Sequence, residues 1–135
     1  MTILLVVLAV IALVFVIYYN RLVKLRQTVR NAWADIDVQL KRRHDLIPNL
    51  VATVKGYASH EQDTLDAVIQ ARNGAIGASG PAATAAAENQ LSGALRQLFA
   101  LSESYPQLRA VEGFTELQGS LKEIEAAVQS SRRYY

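Results

Sequence analysis

The first twenty residues form an unbroken apolar segment. Every residue from Ile3 to Ile17 is apolar, and neither a charged side chain nor Gly or Pro occurs before Asn20. The nineteen residues before Asn20 rise about 28 Å as a helix, which is close to the roughly 30 Å thickness of the hydrocarbon core of a bilayer. Tyr18 and Tyr19 follow where interfacial aromatic residues lie. The pattern therefore predicts a transmembrane anchor over residues 1–20.

Other structures for this segment fit the pattern less well. A cleaved secretory signal needs basic residues before the apolar run and small residues after it, and this segment has neither. A core helix of a soluble protein would show a polar stripe, and an interfacial helix would need a polar face. A retained anchor is the prediction that agrees with the sequence.

Apolar residues recur at helical spacing after the anchor. No Gly or Pro occurs before Pro48, so we expect the anchor to continue into one long helix. Pro48 lacks the N–H that would bond to the carbonyl of His44, and it should kink this helix. The apolar seam is typical of a helical bundle or coiled coil, and it consists of Leu22, Leu25, Val29, Ala32, Trp33, Ile36 and Leu40.

Three further helices are predicted, with turns near residue 58, residues 77–81 and residues 103–107. Ser59 is a candidate N-cap of the second helix, with Gln62 at the capping-box position. Pro81 suits the start of the third helix, and Tyr105-Pro106 ends it. The residues expected to face inward are Leu65, Val68, Ile69 and Ile76, then Leu91, Leu95, Leu98 and Phe99, and finally Phe114, Leu117, Leu121, Ile124, Val128 and Tyr135.

These segments together predict an all-α protein. A transmembrane helix continues into a long kinked helix of an up-and-down bundle of about four helices. Residues 1–20 form the anchor, and residues 21–135 form a cytoplasmic bundle. The last helix is still in register at Tyr135 and has no Gly, Asn or Pro stop signal after Arg133, so either this helix is shortened or it is part of a longer one.

Basic residues are concentrated directly after the anchor. Residues 21–43 carry seven basic and two acidic side chains, whereas residues 44–135 carry seven basic and ten acidic ones. Lys and Arg near a span stay in the cytoplasm, so the N-terminus should lie outside a single-pass protein of the cell membrane. The same residues either bind anionic lipid headgroups or only set the topology, and they are Arg21, Lys24, Arg26 and Arg30.

Few residues suggest chemistry. The chain has no Cys, its two histidines do not begin an HExxH pattern, and no Walker, GxGxxG or GxSxG motif occurs. A basic cluster beside a membrane, followed by an acidic bundle, argues against nucleic acid. We therefore expect no catalytic, cofactor or metal site. Solvated roles are expected for His44 and His60. For Asp37, a buried structural ion pair with an arginine, such as Arg72 or Arg109, is an alternative to a solvated position.

The seam nearest the anchor is the candidate contact surface. If the later helices pack mainly beyond Pro48, then Val29, Trp33 and Ile36 have no cover within the chain. An apolar stripe of this kind is seldom left in water, so neighbouring copies or another protein would cover it. The alternatives are that the bundle itself covers the seam, and that Trp33 is an ordinary core residue.

Several stretches resemble the LemA family over nearly the whole chain. They are Tyr19 to Val23, Ala32 to Arg43, Asp45 to Val51, Val54 to Ala58 with His60-Glu61, Tyr105-Pro106, Leu117-Gln118 and Arg132-Arg133-Tyr134. The resemblance implies a bacterial protein with one N-terminal transmembrane helix and a helical bundle, and no established enzymatic activity. Some members are linked to magnetosome membrane biogenesis. Members usually continue beyond the position of Tyr135, and this chain departs from them there.

The expected function follows from the anchor, the seam and this resemblance. We expect a non-enzymatic protein of the bacterial inner membrane that forms a homo-oligomeric scaffold and organises a membrane or a membrane complex. Its partners would be the lipid bilayer, anionic headgroups and further copies of itself. The alternatives are a membrane-tethered adaptor or sensor that binds another protein, and an enzyme of unrecognised type.

Overall fold

The computed structural model describes residues 1–132, and the regular structure within that range is helical. This confirms the all-α prediction. The five helices are α1 (Thr2–Tyr57), α2 (Gln62–Gly77), α3 (Pro81–Ser102), α4 (Pro106–Arg109) and α5 (Glu112–Arg132). The predicted core position Tyr135 lies outside the described residues, as do Arg133 and Tyr134.

The first helix contains both the apolar segment and the first helix of the bundle, in 56 residues. Its N-terminal part is long and apolar enough to cross a membrane, and the most apolar window of 18 residues has no buried side chain. Burial begins only at Ala32. At about 1.5 Å per residue the helix is about 84 Å long. The bundle therefore packs around the C-terminal part of a long rod.

Pro48 lies inside α1, and the helix continues through it. Because proline has no N–H, the carbonyl of His44 lacks its usual partner within the helix. Arg72 of α2 supplies the donor instead, with its Nε 2.7 Å from the His44 oxygen. The position at which the sequence predicts a kink in the helix is thus a position where a neighbouring helix is attached.

The predicted turns are confirmed, with one correction. Gly80 precedes α3 with φ of +84°, a conformation that favours glycine, and Pro81 occupies the first turn of that helix. Pro106 begins the short α4. The prediction that Ser59 caps α2 is wrong, because Ser59 lies within the turn and Glu61 occupies the N-cap. The N–H of Glu61 bonds to the carbonyl of Ala58 and closes that turn.

The main helix contacts are those of α1 with α5 and α2, and of α2 with α3, while α4 packs on α5, α1 and α3. The four long helices form a bundle of the predicted kind. Their core includes Ile47, Leu50 and Val54 of α1, Leu65 and Val68 of α2, Leu91 and Leu98 of α3, and Phe114 and Leu121 of α5.

Two inward positions predicted for α2 are wrong. Ile69 is 38% exposed and Ile76 is 52% exposed, whereas the small residue Ala75 is buried. Close packing of α2 on its neighbours favours a small side chain at Ala75. The predictions for α5 hold better, because Phe114, Leu121, Ile124 and Val128 are buried and Leu117 is half-buried.

A second apolar cluster closes the end of the bundle nearest the apolar segment. Ile36 and Leu40 of α1 pack with Ile124 and Val128 of α5, and the half-buried Trp33 lies against them. The condition that the later helices pack mainly beyond Pro48, which would leave this seam uncovered, is therefore not met at Ile36 and Leu40. The long α5 reaches back along α1 and covers Ile36, which is only 5% exposed.

Candidate functional site

Residues 21–31 of α1 form an uncovered segment between the apolar segment and the bundle, which we call the neck. Every residue of the neck is exposed. Its internal side-chain bonds are local, with Gln27 donating to Asn31 and the Thr28 hydroxyl donating to the carbonyl of Lys24. At about 1.5 Å per residue the neck holds the bundle about 16 Å away from the apolar segment.

An apolar stripe runs along the neck. Leu22 is 63% exposed, Leu25 is 55% exposed and Val29 is 38% exposed. Spacings of three and four residues place the three side chains on one face of the helix. The four basic residues predicted to contact lipid also lie in this segment and are exposed: Arg21, Lys24, Arg26 and Arg30.

The structure separates the three residues predicted to form the contact surface. Val29 is exposed on the neck, Trp33 is half-buried at the edge of the bundle, and Ile36 is buried beneath α5. A contact of Val29 or Trp33 with another chain stays a prediction. Ile36 is unavailable for one, since α5 already covers it. Leu22 and Leu25 extend the exposed stripe toward the apolar segment instead.

A polar cluster lies inside the bundle. The Glu88 side chain of α3 is only 2% exposed, and its Oε1 lies 2.6 Å from Nε2 of His44. Its Oε2 is 3.7 Å from Nη1 of Arg43, which is an ion pair but too long for a hydrogen bond. Nη2 of Arg43 donates to the Ser92 hydroxyl at 2.7 Å. The cluster thus joins α1 to α3 through charged groups.

Burial dominates the electrostatics of Arg43. Loss of solvation lowers the pKa of its guanidinium, while the nearby negative charges of Glu88 and Glu125 raise this pKa and the positive charge of Arg132 lowers it. A charge removed from water is costly unless it is paired. Arg43 therefore requires an anion close to it, and Glu88 supplies one.

The model of the LemA family matches residues 32–135. The chain belongs to the LemA family. The match begins at the residue where α1 becomes buried, so it covers the described part of the bundle. LemA is not a known enzyme family. No curated protein matches the chain.

The apolar segment of α1 and the membership of the LemA family are both consistent with a membrane-associated helical protein. The polar cluster is a structural connection between two helices. Within residues 1–132 no group of three or more His, Asp or Glu side chains is placed to hold a metal ion. The Ser92 hydroxyl accepts a hydrogen bond from Arg43, and His44 faces a carboxylate.

Sequence reasoning missed this polar cluster, although a signal was present. Arg43 lies on the seam of Leu40 and Ile47, and Glu88 lies on that of Leu91 and Leu95, at spacings of three, four and seven residues. A single charge on each of two otherwise apolar faces, with opposite signs, indicates a buried ion pair.

One other expectation about the polar residues of this LemA protein is wrong: His44 is mostly buried against Glu88 rather than solvated. The alternative pairing of Asp37 with an arginine is not what the structure has. Asp37 pairs instead with Lys41, one turn along the same helix, at 3.3 Å. Both side chains are exposed, so solvent screens this pair and it contributes little to stability.

Proposed function

We propose that this LemA protein is a non-enzymatic, single-pass scaffold of the inner membrane that associates with copies of itself through the neck. The observation that carries the proposal is the exposed stripe of Leu22, Leu25 and Val29 directly beyond the apolar segment. Three apolar side chains on one helical face, at the spacing of a coiled-coil seam, lose contact with water when a second helix covers them.

Anchoring favours a second copy as the occupant of this stripe. Helices that cross the same bilayer in the same direction are held parallel, with their necks at the same height. Identical stripes then meet in register, which is the arrangement that a parallel coiled coil requires. The positive-inside rule supports a cytoplasmic bundle with the N-terminus outside.

The basic residues of the neck make this association depend on lipid. If Leu22 and Leu25 occupy seam positions of a heptad, Arg21 and Arg26 occupy the positions that flank the seam. In a parallel pair of helices, Arg21 of one copy then faces Arg26 of the other. These like charges repel. Anionic headgroups next to the neck would reduce the repulsion, and each basic residue near the surface contributes about 1 kcal/mol to binding such a membrane.

Oxidative cross-linking in native membranes tests the proposal. The chain has no Cys, so a Val29→Cys variant carries a single thiol on the stripe. We expect disulfide-linked dimers of this variant on a non-reducing gel after mild oxidation, because facing seam positions in a coiled coil lie within disulfide range. A larger anionic fraction in reconstituted vesicles should increase the yield.

Gln27→Cys is the matched control. Gln27 is equally part of the neck and exposed, but it lies on the opposite face of the helix from Val29. Its cross-linking should be much weaker. Equal yields from the two variants would indicate random collision, and monomers alone from Val29→Cys would rule out the scaffold and leave an adaptor that binds another protein.

A further inference from the structure

A large groove lies between α3 and α5. Its cavity has a volume of about 760 Å³, and a second cavity of about 280 Å³ adjoins it along the same two helices. Both are lined by Arg43, Ser92, Arg96 and Glu125. A volume of this order is typical of sites for small organic molecules.

The groove is positively charged in a bundle that is otherwise acidic. Residues 44–135 carry more acidic than basic side chains, yet basic ones predominate on the walls of the two cavities. The acidic residues that line them are Glu103 and Glu125. The basic residues that line them are Arg43, Arg96, Arg109, Lys122 and Arg132.

Arg43 gives the groove a buried cation with unused donors. A guanidinium has five N–H donors, and in the described part of the chain Arg43 donates one hydrogen bond, to Ser92. Glu88 lies beyond hydrogen-bond distance from it. Burial strips water from this guanidinium and lowers its pKa. A phosphate or carboxylate reaching it would gain charge-assisted hydrogen bonds in a place where water competes poorly.

The other half of the groove is apolar. Leu95, Phe99, Phe114 and Leu121 line the larger cavity. The rings of Phe99 and Phe114 meet edge to face, with their centroids 6.3 Å apart. Phe99 is half-buried rather than buried, so part of an apolar wall faces the groove.

We infer that this groove binds a small organic anion, with its phosphate or carboxylate group toward Arg43 and its apolar part toward Phe99. Arg96 and Lys122 lie on the opposing walls and add positive charge. Arg43 follows Asn20 by 23 residues, which is about 35 Å of helix. Headgroups of the membrane that holds the anchor are therefore out of reach, and the ligand comes from solution. The inference does not depend on self-association.

Phenyl phosphate is a suitable probe, because it combines the two parts of the expected ligand. Isothermal titration of the full chain in uncharged detergent should detect saturable binding, and phenol, which has the same ring without the charge, should bind at least about tenfold more weakly. Arg96→Gln should weaken phenyl phosphate binding by about fivefold or more, because it removes one charge of an exposed wall.

Arg30→Gln is the matched control, since Arg30 is an exposed arginine on the neck and lies outside the groove. It should bind phenyl phosphate as the unmodified chain does. Arg109→Gln, a second exposed wall residue, repeats the test if Arg96→Gln loses helicity. The inference is overturned if no binding occurs below about 10 mM, if phenol binds equally well, or if Arg30→Gln weakens binding as much as the groove variants do.

Discussion

Arg72 replaces the hydrogen bond that Pro48 removes from α1. Proline leaves the carbonyl of His44 without a donor inside α1, and the Nε of Arg72 reaches that oxygen from α2 at 2.7 Å. An unsatisfied carbonyl inside a bundle costs free energy. The bond therefore removes a cost that proline introduces, and it also fixes the position of α2 along α1.

We expect Arg72→Met to lower the free energy of unfolding by about 1.5–3 kcal/mol, the range for a hydrogen bond to a charged group. In a Pro48→Ala background the loss should be smaller, because the substituted alanine provides a backbone N–H for the His44 carbonyl. Urea titration in detergent, followed by the fluorescence of Trp33, measures the loss of unfolding free energy in both backgrounds. An equal loss in the two backgrounds would show that Arg72 acts independently of Pro48.

Tyr105 makes the stability sensitive to alkaline pH. Its hydroxyl donates a hydrogen bond to Oε1 of Glu61 at 3.0 Å. That bond raises the pKa of Tyr105, and partial loss of solvation and the charge of Glu61 raise it further. The bond stabilises the fold fully below the ordinary tyrosine pKa of about 10, and this stabilisation is lost as the pH rises through the raised pKa.

Tyr105→Phe should therefore be less stable than the unmodified chain at neutral pH, and the difference should shrink as the pH rises above about 10. Unfolding by urea at a series of pH values measures this difference. In a Glu61→Gln background, Tyr105→Phe should show little of this pH dependence. A difference that stays constant from neutral to strongly alkaline pH would show that the bond is not formed in solution.

At the scale of the helices, α5 holds the bundle along its length. Its N-terminal part packs in the main core through Phe114 and Leu121, and its C-terminal part covers Ile36 and Leu40. The charged residues between these positions are exposed. One face of this helix is thus in contact from its first turns almost to Arg132.

Leu121→Ala should lower the free energy of unfolding by about 2–5 kcal/mol, because Leu121 is buried in the core and truncation leaves a cavity. Glu123→Ala, two positions further on, changes an exposed side chain and should alter stability by less than about 0.5 kcal/mol. Chemical unfolding of the two variants provides the comparison. Similar losses would contradict the assignment of the inner face.

The helices differ in how far their sequences determined their placement. In α5 the apolar residues are large and separated by polar ones, so the inner face can be predicted. In α2 the inner face contains Ala75, and the larger Ile76 points outward. Side-chain size alone misled the prediction there, because the distance between helices decides which residue fits.

Contacts between distant parts of the chain were the least predictable. The turns depend on local residues such as Gly80 and Pro81, so the sequence predicts their positions correctly. The burial of Ile36 depends on α5, which lies almost ninety residues later in the chain. Glu88 likewise meets His44 across 44 residues. A local pattern of apolar residues does not determine which helix will cover a given face.

At the scale of the whole molecule, the charges next to the apolar segment predict the orientation in the membrane. Alkaline phosphatase, which works only outside the cytoplasm, should be inactive when fused after Tyr135, because the proposed orientation places the bundle in the cytoplasm with the basic neck. Neutralising the neck should produce molecules of mixed orientation with measurable activity. The substitutions needed are at Arg21, Lys24, Arg26 and Arg30.

Neutralising exposed basic residues of the bundle is the control for charge alone. It should leave the fusion inactive, because those residues lie too far from the apolar segment to affect insertion. Suitable positions are Lys55, Arg96, Lys122 and Arg132. High phosphatase activity from the unmodified fusion would mean that the bundle lies outside.

The continuity of α1 also sets an angle. Each residue of a helix turns the chain by about 100°. The number of residues in the neck therefore determines the rotation of the bundle about the helix axis, relative to the apolar segment. One inserted residue would rotate the bundle about the helix axis by more than a quarter of a turn. Seven inserted residues would return it to within about 20° of its original orientation. The length of the neck thus fixes the direction in which the bundle faces as well as its distance from the apolar segment.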